Sequence, residues 1–201
     1  MNYAIEFKRE SFSHLTAMAR KRSLKHKWLL VRSGWALIKM GKQEFCLQPN
    51  QSFWIPQNSL CSISLFPGTQ LDTLDISVRV RETFPYSAGY VTLSALSSAI
   101  FNKLAEIAPR SEEQLELLAV LKREATQIRP LFEASKLCKQ LSRWSPQSHE
   151  LDKEWHMALL VREAQKRMLS GGKKEQVVSE LFSGDEQQCN VICEMLLGKT
   201  L

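Results

Sequence analysis

Residues 25 to 78 read KHKWLLVRSGWALIKMGKQEFCLQPNQSFWIPQNSLCSISLFPGTQLDTLDISV, and the fold turns on this stretch. Within it Trp28-Leu-Leu-Val31, Gly34-Trp-Ala-Leu-Ile38, Glu44-Phe-Cys-Leu47, Ser52-Phe-Trp-Ile55, Cys61-Ser-Ile-Ser-Leu65 and residues 70–78 are short and rich in branched or aromatic side chains. Turn residues separate them: Arg32-Ser33-Gly34, Met40-Gly41-Lys42, Pro49-Asn50, Pro56-Gln57-Asn58 and Pro67-Gly68. Many short strands at even spacing predict a sandwich or barrel. Cys61, Ile63 and Leu65 alternate with polar residues, as do Leu74, Ile76 and Val78, so those strands each cover one apolar face.

Past Val80 the period changes from two to between three and four. Leu93, Leu96, Ile100, Leu104 and Ile107 form one helical stripe. Ser111-Glu-Glu-Gln114 reads as a capping box that opens a second helix through about Gln127, with Leu115, Leu118, Leu121 and Ala125 on its stripe. Leu93, Leu96, Ile100, Leu104, Leu115, Leu118 and Leu121 are packing residues within the chain or, on the sharper alternative, a homodimer interface. Pro130 and Pro146 bracket a short helix within 131–144. Asp152 caps a helix to about Leu169; Lys174 to Phe182 and Glu186 to Leu197 are two more, joined by Ser183-Gly184 and closed by Gly198. That final pair has helix-turn-helix proportions. The fold class expected is therefore α+β, an N-terminal β-barrel followed by an all-helical region.

With 201 residues, 44% hydrophobic and 24% charged, the chain has room for one large domain or two small ones and is neither disordered nor disulfide-stapled. Its five cysteines form no CxxC pair and sit among apolar residues, which implies reduced thiols and a cytoplasmic protein. Neither a signal peptide nor a membrane span is expected, because no apolar run approaches ~18 residues.

The formal charge is +6, and all of the excess lies in residues 1 to 32, where Lys8, Arg9, Arg20, Lys21, Arg22, Lys25, Lys27 and Arg32 face only Glu6 and Glu10. Such a run is either a solvated arm or edge strand, or a phosphate-binding arm.

The segment from His26 to Val78 resembles the cupin-type sensor domain of AraC/XylS-type bacterial transcription regulators, with Trp54-Ile55-Pro56 as the most specific element. The tail resembles the same family's second helix-turn-helix, through Arg162, Met168-Leu169, Val177-Val178, Leu181-Phe182, Asp185 and residues 197–200. The resemblance implies a cupin-like sensor over 1–85, amphipathic linker or dimerisation helices over 86–130, and a degenerate helix-turn-helix over 131–201. The stretch from Leu131 to His156 is too short for a complete first helix-turn-helix unit.

By the resemblance, His26, Trp28, Trp35, Phe45, Trp54 and Cys61 are candidates to line an effector pocket. Arg162, Lys173, Lys174 and Lys199 are candidates to touch phosphate, and Gln187, Gln188 and Asn190 to read bases. The final helix has no basic side chain, and from Trp155 onward six basic groups meet six acidic ones, so counterion release offers little. The family's metal positions fall on Leu24, His26 and Cys61, which leave too few ligands, so no metal or cofactor is expected. His14, His26, His149 and His156 stand beside no serine elbow and no phosphate loop occurs, so no enzyme is expected. DNA, a small-molecule effector and a protein partner remain the candidate partners, with a regulator of weak DNA contact and a DNA-free adaptor as the two readings.

Overall fold

The computed structural model describes residues 4–148 and 150–201, so His149 lies outside the described residues. Among the described residues ten strands come first: β1 (Ile5–Phe12), β2 (Thr16–Ala17), β3 (Lys21–Arg22), β4 (His26–Ser33), β5 (Ala36–Met40), β6 (Gln43–Leu47), β7 (Ser52–Ile55), β8 (Leu60–Leu65), β9 (Thr69–Ile76) and β10 (Gly89–Val91). Six helices follow: α1 (Ala95–Leu104), α2 (Glu112–Gln127), α3 (Lys136–Arg143), α4 (Lys153–Leu169), α5 (Lys174–Leu181) and α6 (Glu186–Leu197). No helix among the described residues is long and apolar enough to cross a membrane.

The strands form two antiparallel sheets, ordered β1-β9-β4-β7-β10 and β2-β8-β5-β6, with β3 also on β8. The cupin-like barrel is thus an open pair of facing sheets, and no ladder closes it among the described residues. After β1 the chain passes to the other sheet, where β2 and β3 are two residues each, too short to carry a ladder round the corner.

Four layers result. Leu29, Val31, Phe53, Ile55 and Leu71 from the first sheet meet Ile38, Phe45, Leu47, Ile63 and Leu65 from the second. On the first sheet's outer face Trp28, Leu30, Trp54, Leu74 and Ile76 pack under Ile100, Phe101, Leu104, Leu118 and Leu121 of α1 and α2. On the second sheet's outer face Leu37 and Cys46 share a core with Cys138 and Leu141 of α3, Leu159 and Val161 of α4, and residues of α5 and α6. The continuous run Trp28-Leu-Leu-Val31 follows from this arrangement, since a strand covered on both sides has no polar face to alternate with. Both sheets are tied to their helices: β10, beyond residue 85, pairs with β7, and the helices of 131–201 share a core with the second sheet.

Asp152 stands at the N-cap of α4 without the expected side-chain hydrogen bond, whereas Ser111 caps α2 as expected. The Ser111 hydroxyl accepts from the Gln114 N–H at 3.1 Å, and the Gln114 side chain accepts from the Arg110 N–H, one residue before the usual capping-box partner. Asp185 accepts from the Gln188 N–H at 2.8 Å and opens α6. Gly198 closes it at φ 71°, where any Cβ would also strike the His14 ring. The Leu15 N–H donates to the Leu196 carbonyl, so the end of α6 rests on the link between the two sheets.

Candidate functional site

The six expected pocket residues do not share a pocket. Along β4 and β7 side chains alternate, so His26, Trp28 and Trp54 face the layer of α1 and α2, while Phe45 and Cys61 lie between the sheets. Trp35 sits elsewhere again, stacked between Phe66 and Trp155 at centroid distances of 3.6 Å, and joins β5's start to α4. All but Trp35 are buried. His26 stacks on Trp54 and Phe84, accepts from the Gln57 N–H at Nδ1, and is held below its ordinary pKa by burial. Cys61 is raised by burial and stands on the other side of the sheet from His26, so the two do not form a nucleophile–base pair. Cys46, buried beside Cys138 and Glu44, is pushed up to about 12 and stays protonated near neutrality.

An open cavity of about 570 Å³ lies instead where the ends of β4, β7 and β10 meet the start of α1. Leu30, Val91, Leu93 and Leu131 supply apolar wall; Arg32 and Ser98 supply polar groups. The turn-like reading of Arg32-Ser33-Gly34 hid Arg32's part in it. Arg32 Nε donates to Asp72 Oδ2 at 2.6 Å, and Arg9 donates to both Asp72 oxygens at 2.6 and 2.8 Å. Asp72 is fully buried, so one carboxylate holds two guanidinium groups.

The expected DNA-contact residues separate. Arg162 is withdrawn from that role: it forms a two-bond pair with buried Glu44, at 2.5 and 3.2 Å. Lys174 pairs with Glu186 at 2.9 Å, which raises the ammonium above its ordinary value and ties α5 to α6. Asn190 is half-buried, with Oδ1 enclosed and unpartnered among the described residues. Lys173, Gln187, Gln188 and Lys199 remain at the surface. The outward face of α6 carries Glu186, Gln187, Gln188, Val191, Glu194 and Met195, with Val191 and Met195 beside a groove shared with Met157 of α4.

In layout the chain is similar to ToxT. Apo ToxT from Vibrio cholerae has 9% identity and a TM-score of 0.46, over 99% of this chain and 96% of that one. Unsaturated fatty acid-bound ToxT from the same organism has 9% identity and a TM-score of 0.42, over 100% and 98%. A cupin superfamily protein from Desulfitobacterium hafniense has 15% identity and a TM-score of 0.35, over 38% of this chain and 71% of that one. No family model matches the chain, and no curated protein matches it.

The same sorting applies to the basic N-terminal run and to the helical stripes. Strand β1 is an edge strand, and β9 lays Asp72 and Asp75 against it and its neighbour: Arg9 and Arg32 pair with Asp72, Lys27 and Lys25 with Asp75, Lys8 with Glu6. Arg20, Lys21 and Arg22 have no ion pair among the described residues, while Lys8 and Arg9 are exposed but paired. Ile100, Leu104, Leu118 and Leu121 are buried on the first sheet and cannot meet another subunit; Leu93 is partly covered there too. Leu96 and Leu115 are exposed, together with Val120, which the helical stripe did not single out. Among the described residues no three metal-ligating side chains gather.

Proposed function

We propose that the protein is a cytoplasmic, non-catalytic AraC-like transcription regulator that works chiefly through a protein partner, with weak and sequence-indifferent DNA contact. The resemblance of the two ends of the chain, in the family's order, supports the regulator. One observation carries the choice of partner: the outward face of α6, which would enter the major groove, presents Val191, Met195, Glu186 and Glu194 and no cation. DNA association is driven mainly by phosphate neutralisation, and an acidic, partly apolar face opposes it. Fluorescence anisotropy on labelled duplexes over a salt series tests the proposal. The expected result is weak binding at low salt, equal for unrelated sequences and lost as salt rises. Preference for one duplex by about 10³-fold at physiological salt overturns it.

A homodimer through the outward face of α2 is the second part of the proposal. Leu115, Ala119 and Val120 lie exposed there, with Glu112 and Glu116 toward one end and Arg123 toward the other. An antiparallel two-fold pairing sets the acidic end of one copy against Arg123 of its partner, which is the self-complementarity such an interface needs.

A further inference from the structure

We infer that the groove between α4 and α6 seats a cationic amphipathic helix of a protein partner, its apolar face on Val191 and Met195 and its cations on an acidic rim. Helix α6 is apolar around more of its circumference than its own packing uses. Cys189, Cys193 and Leu197 are buried in the core shared with the second sheet, and one such stripe is enough to hold a surface helix. A second stripe, Val191, Ile192, Met195 and Leu196, runs beside it. Ile192 and Leu196 are half-buried against the same core, whereas Val191 is 56% and Met195 68% exposed. Apolar side chains left so open together gain by being covered.

With Met157 of α4 these side chains line an open groove of about 650 Å³. Its lining runs from Asp185 to Leu196, so the floor follows the 12 residues of α6, about 18 Å or three turns of a docked helix. A trough between two helices offers the ridges and grooves into which a third helix packs, and an extended peptide would instead need a free sheet edge. Methionine in the wall adapts to the side chains laid on it.

Charge complementarity sets the sign of the occupant. Glu154 and Asp185 line the groove, and Glu194, three residues past Val191, borders it. All three are exposed and in no ion pair among the described residues. Lys153 is the one cation in the described lining; Lys174 is spent on Glu186, and Lys199 lies past the end of α6. The rim is therefore net acidic, and it favours Lys and Arg flanking an apolar contact over a phosphate backbone or an acidic segment. This inference rests on the partner reading above and names that partner's chemistry.

Fluorescence anisotropy of the full chain with labelled peptides of about 15 residues, a length at which an isolated helix is marginal, tests it. One peptide carries leucine at helical spacing with lysine between; the second replaces each lysine by glutamate; the third scrambles the first so that no face is apolar. At physiological salt the lysine helix is expected to bind at least about tenfold more tightly than either of the others. Val191→Lys with Met195→Lys is expected to remove that binding. Glu154→Lys with Glu194→Lys is expected to turn the preference toward the glutamate peptide, a gain that misfolding does not produce. Glu10→Lys with Glu133→Lys, the same change of charge at exposed sites elsewhere, is expected to leave binding as it was.

Equal binding of the lysine and glutamate peptides, a scrambled peptide as tight as the helix, or no binding at all overturns the assignment. So does an equal weakening by the Glu10 and Glu133 changes, and a fall in the mass of the free protein on Val191→Lys with Met195→Lys gives the groove to a second copy instead. The duplex series described above separates the two claims. A lysine helix that fails to bind, while DNA contact stays weak and sequence-indifferent, removes this groove alone; preference for one duplex overturns the partner reading itself.

Discussion

Glu44 on β6 and Arg162 on α4 form a two-bond ion pair across 118 positions of sequence, with the Glu44 side chain only 4% exposed. The pair stands where the second sheet meets the helical region, next to the Ser142 hydroxyl that accepts from the Glu44 N–H. It converts what reads in sequence as a cation on a DNA-binding module into a joint between two layers.

Breaking that joint from one side leaves a buried charge without a partner. Arg162→Met or Glu44→Gln alone is expected to lower stability by about 3–5 kcal/mol, and the double variant to recover much of it. Urea unfolding of the three variants measures this; equal losses in single and double variants would contradict it.

Cations placed on α6 should draw it toward DNA. Glu186→Lys with Glu194→Lys puts them on its outward face, and duplex affinity is expected to rise, with the slope of log affinity against log salt steepening by about 0.9 for each further phosphate neutralised. Anisotropy titrations at several salt concentrations read the slope. An unchanged slope would mean that this face does not approach DNA.

The helical leucines divide by exposure. Leu118→Ala is expected to cost about 2–5 kcal/mol by opening a cavity under α2, with no direct effect on the subunit contact. Leu115→Glu with Val120→Glu is expected to leave stability nearly unchanged and to shift the protein to monomer in sedimentation velocity. A chain that is dimeric before and after these exposed changes uses another surface.

His26 makes stability depend on pH. Its folded pKa is lowered by burial, so below the ordinary value of 6.5 the unfolded chain binds a proton that the folded chain resists, and stability falls as pH drops from 6.5 toward the folded value. Protonating Nδ1 would also remove the bond from the Gln57 N–H. His26→Phe is expected to flatten this part of the stability–pH curve, read by urea unfolding on either side of 6.5. An identical slope in the variant assigns the dependence to other groups.

Local chemistry was enough to locate most elements. Ser111 and Gly198 marked helix ends because capping satisfies backbone groups within a few residues, and Pro49, Pro56 and Pro67 marked turns for the same local reason. Strand β1 was legible only as one of two readings of the basic run, because an edge strand faces water with residues such as Lys8, Arg9 and Glu10 and carries no continuous apolar signal.

Position across layers was beyond local reach. Whether Trp28 or Leu29 points between the sheets is set by register, and a single-residue shift reverses both, so a list of aromatic residues could not become a pocket. Charge behaved likewise. The count of +6 and its concentration in the first 32 residues were plain in the sequence. Pairing Arg9 and Arg32 with Asp72, Lys27 with Asp75 and Arg162 with Glu44 required β9 and β6 to arrive from far along the chain, and those long-range contacts leave no periodic trace to read.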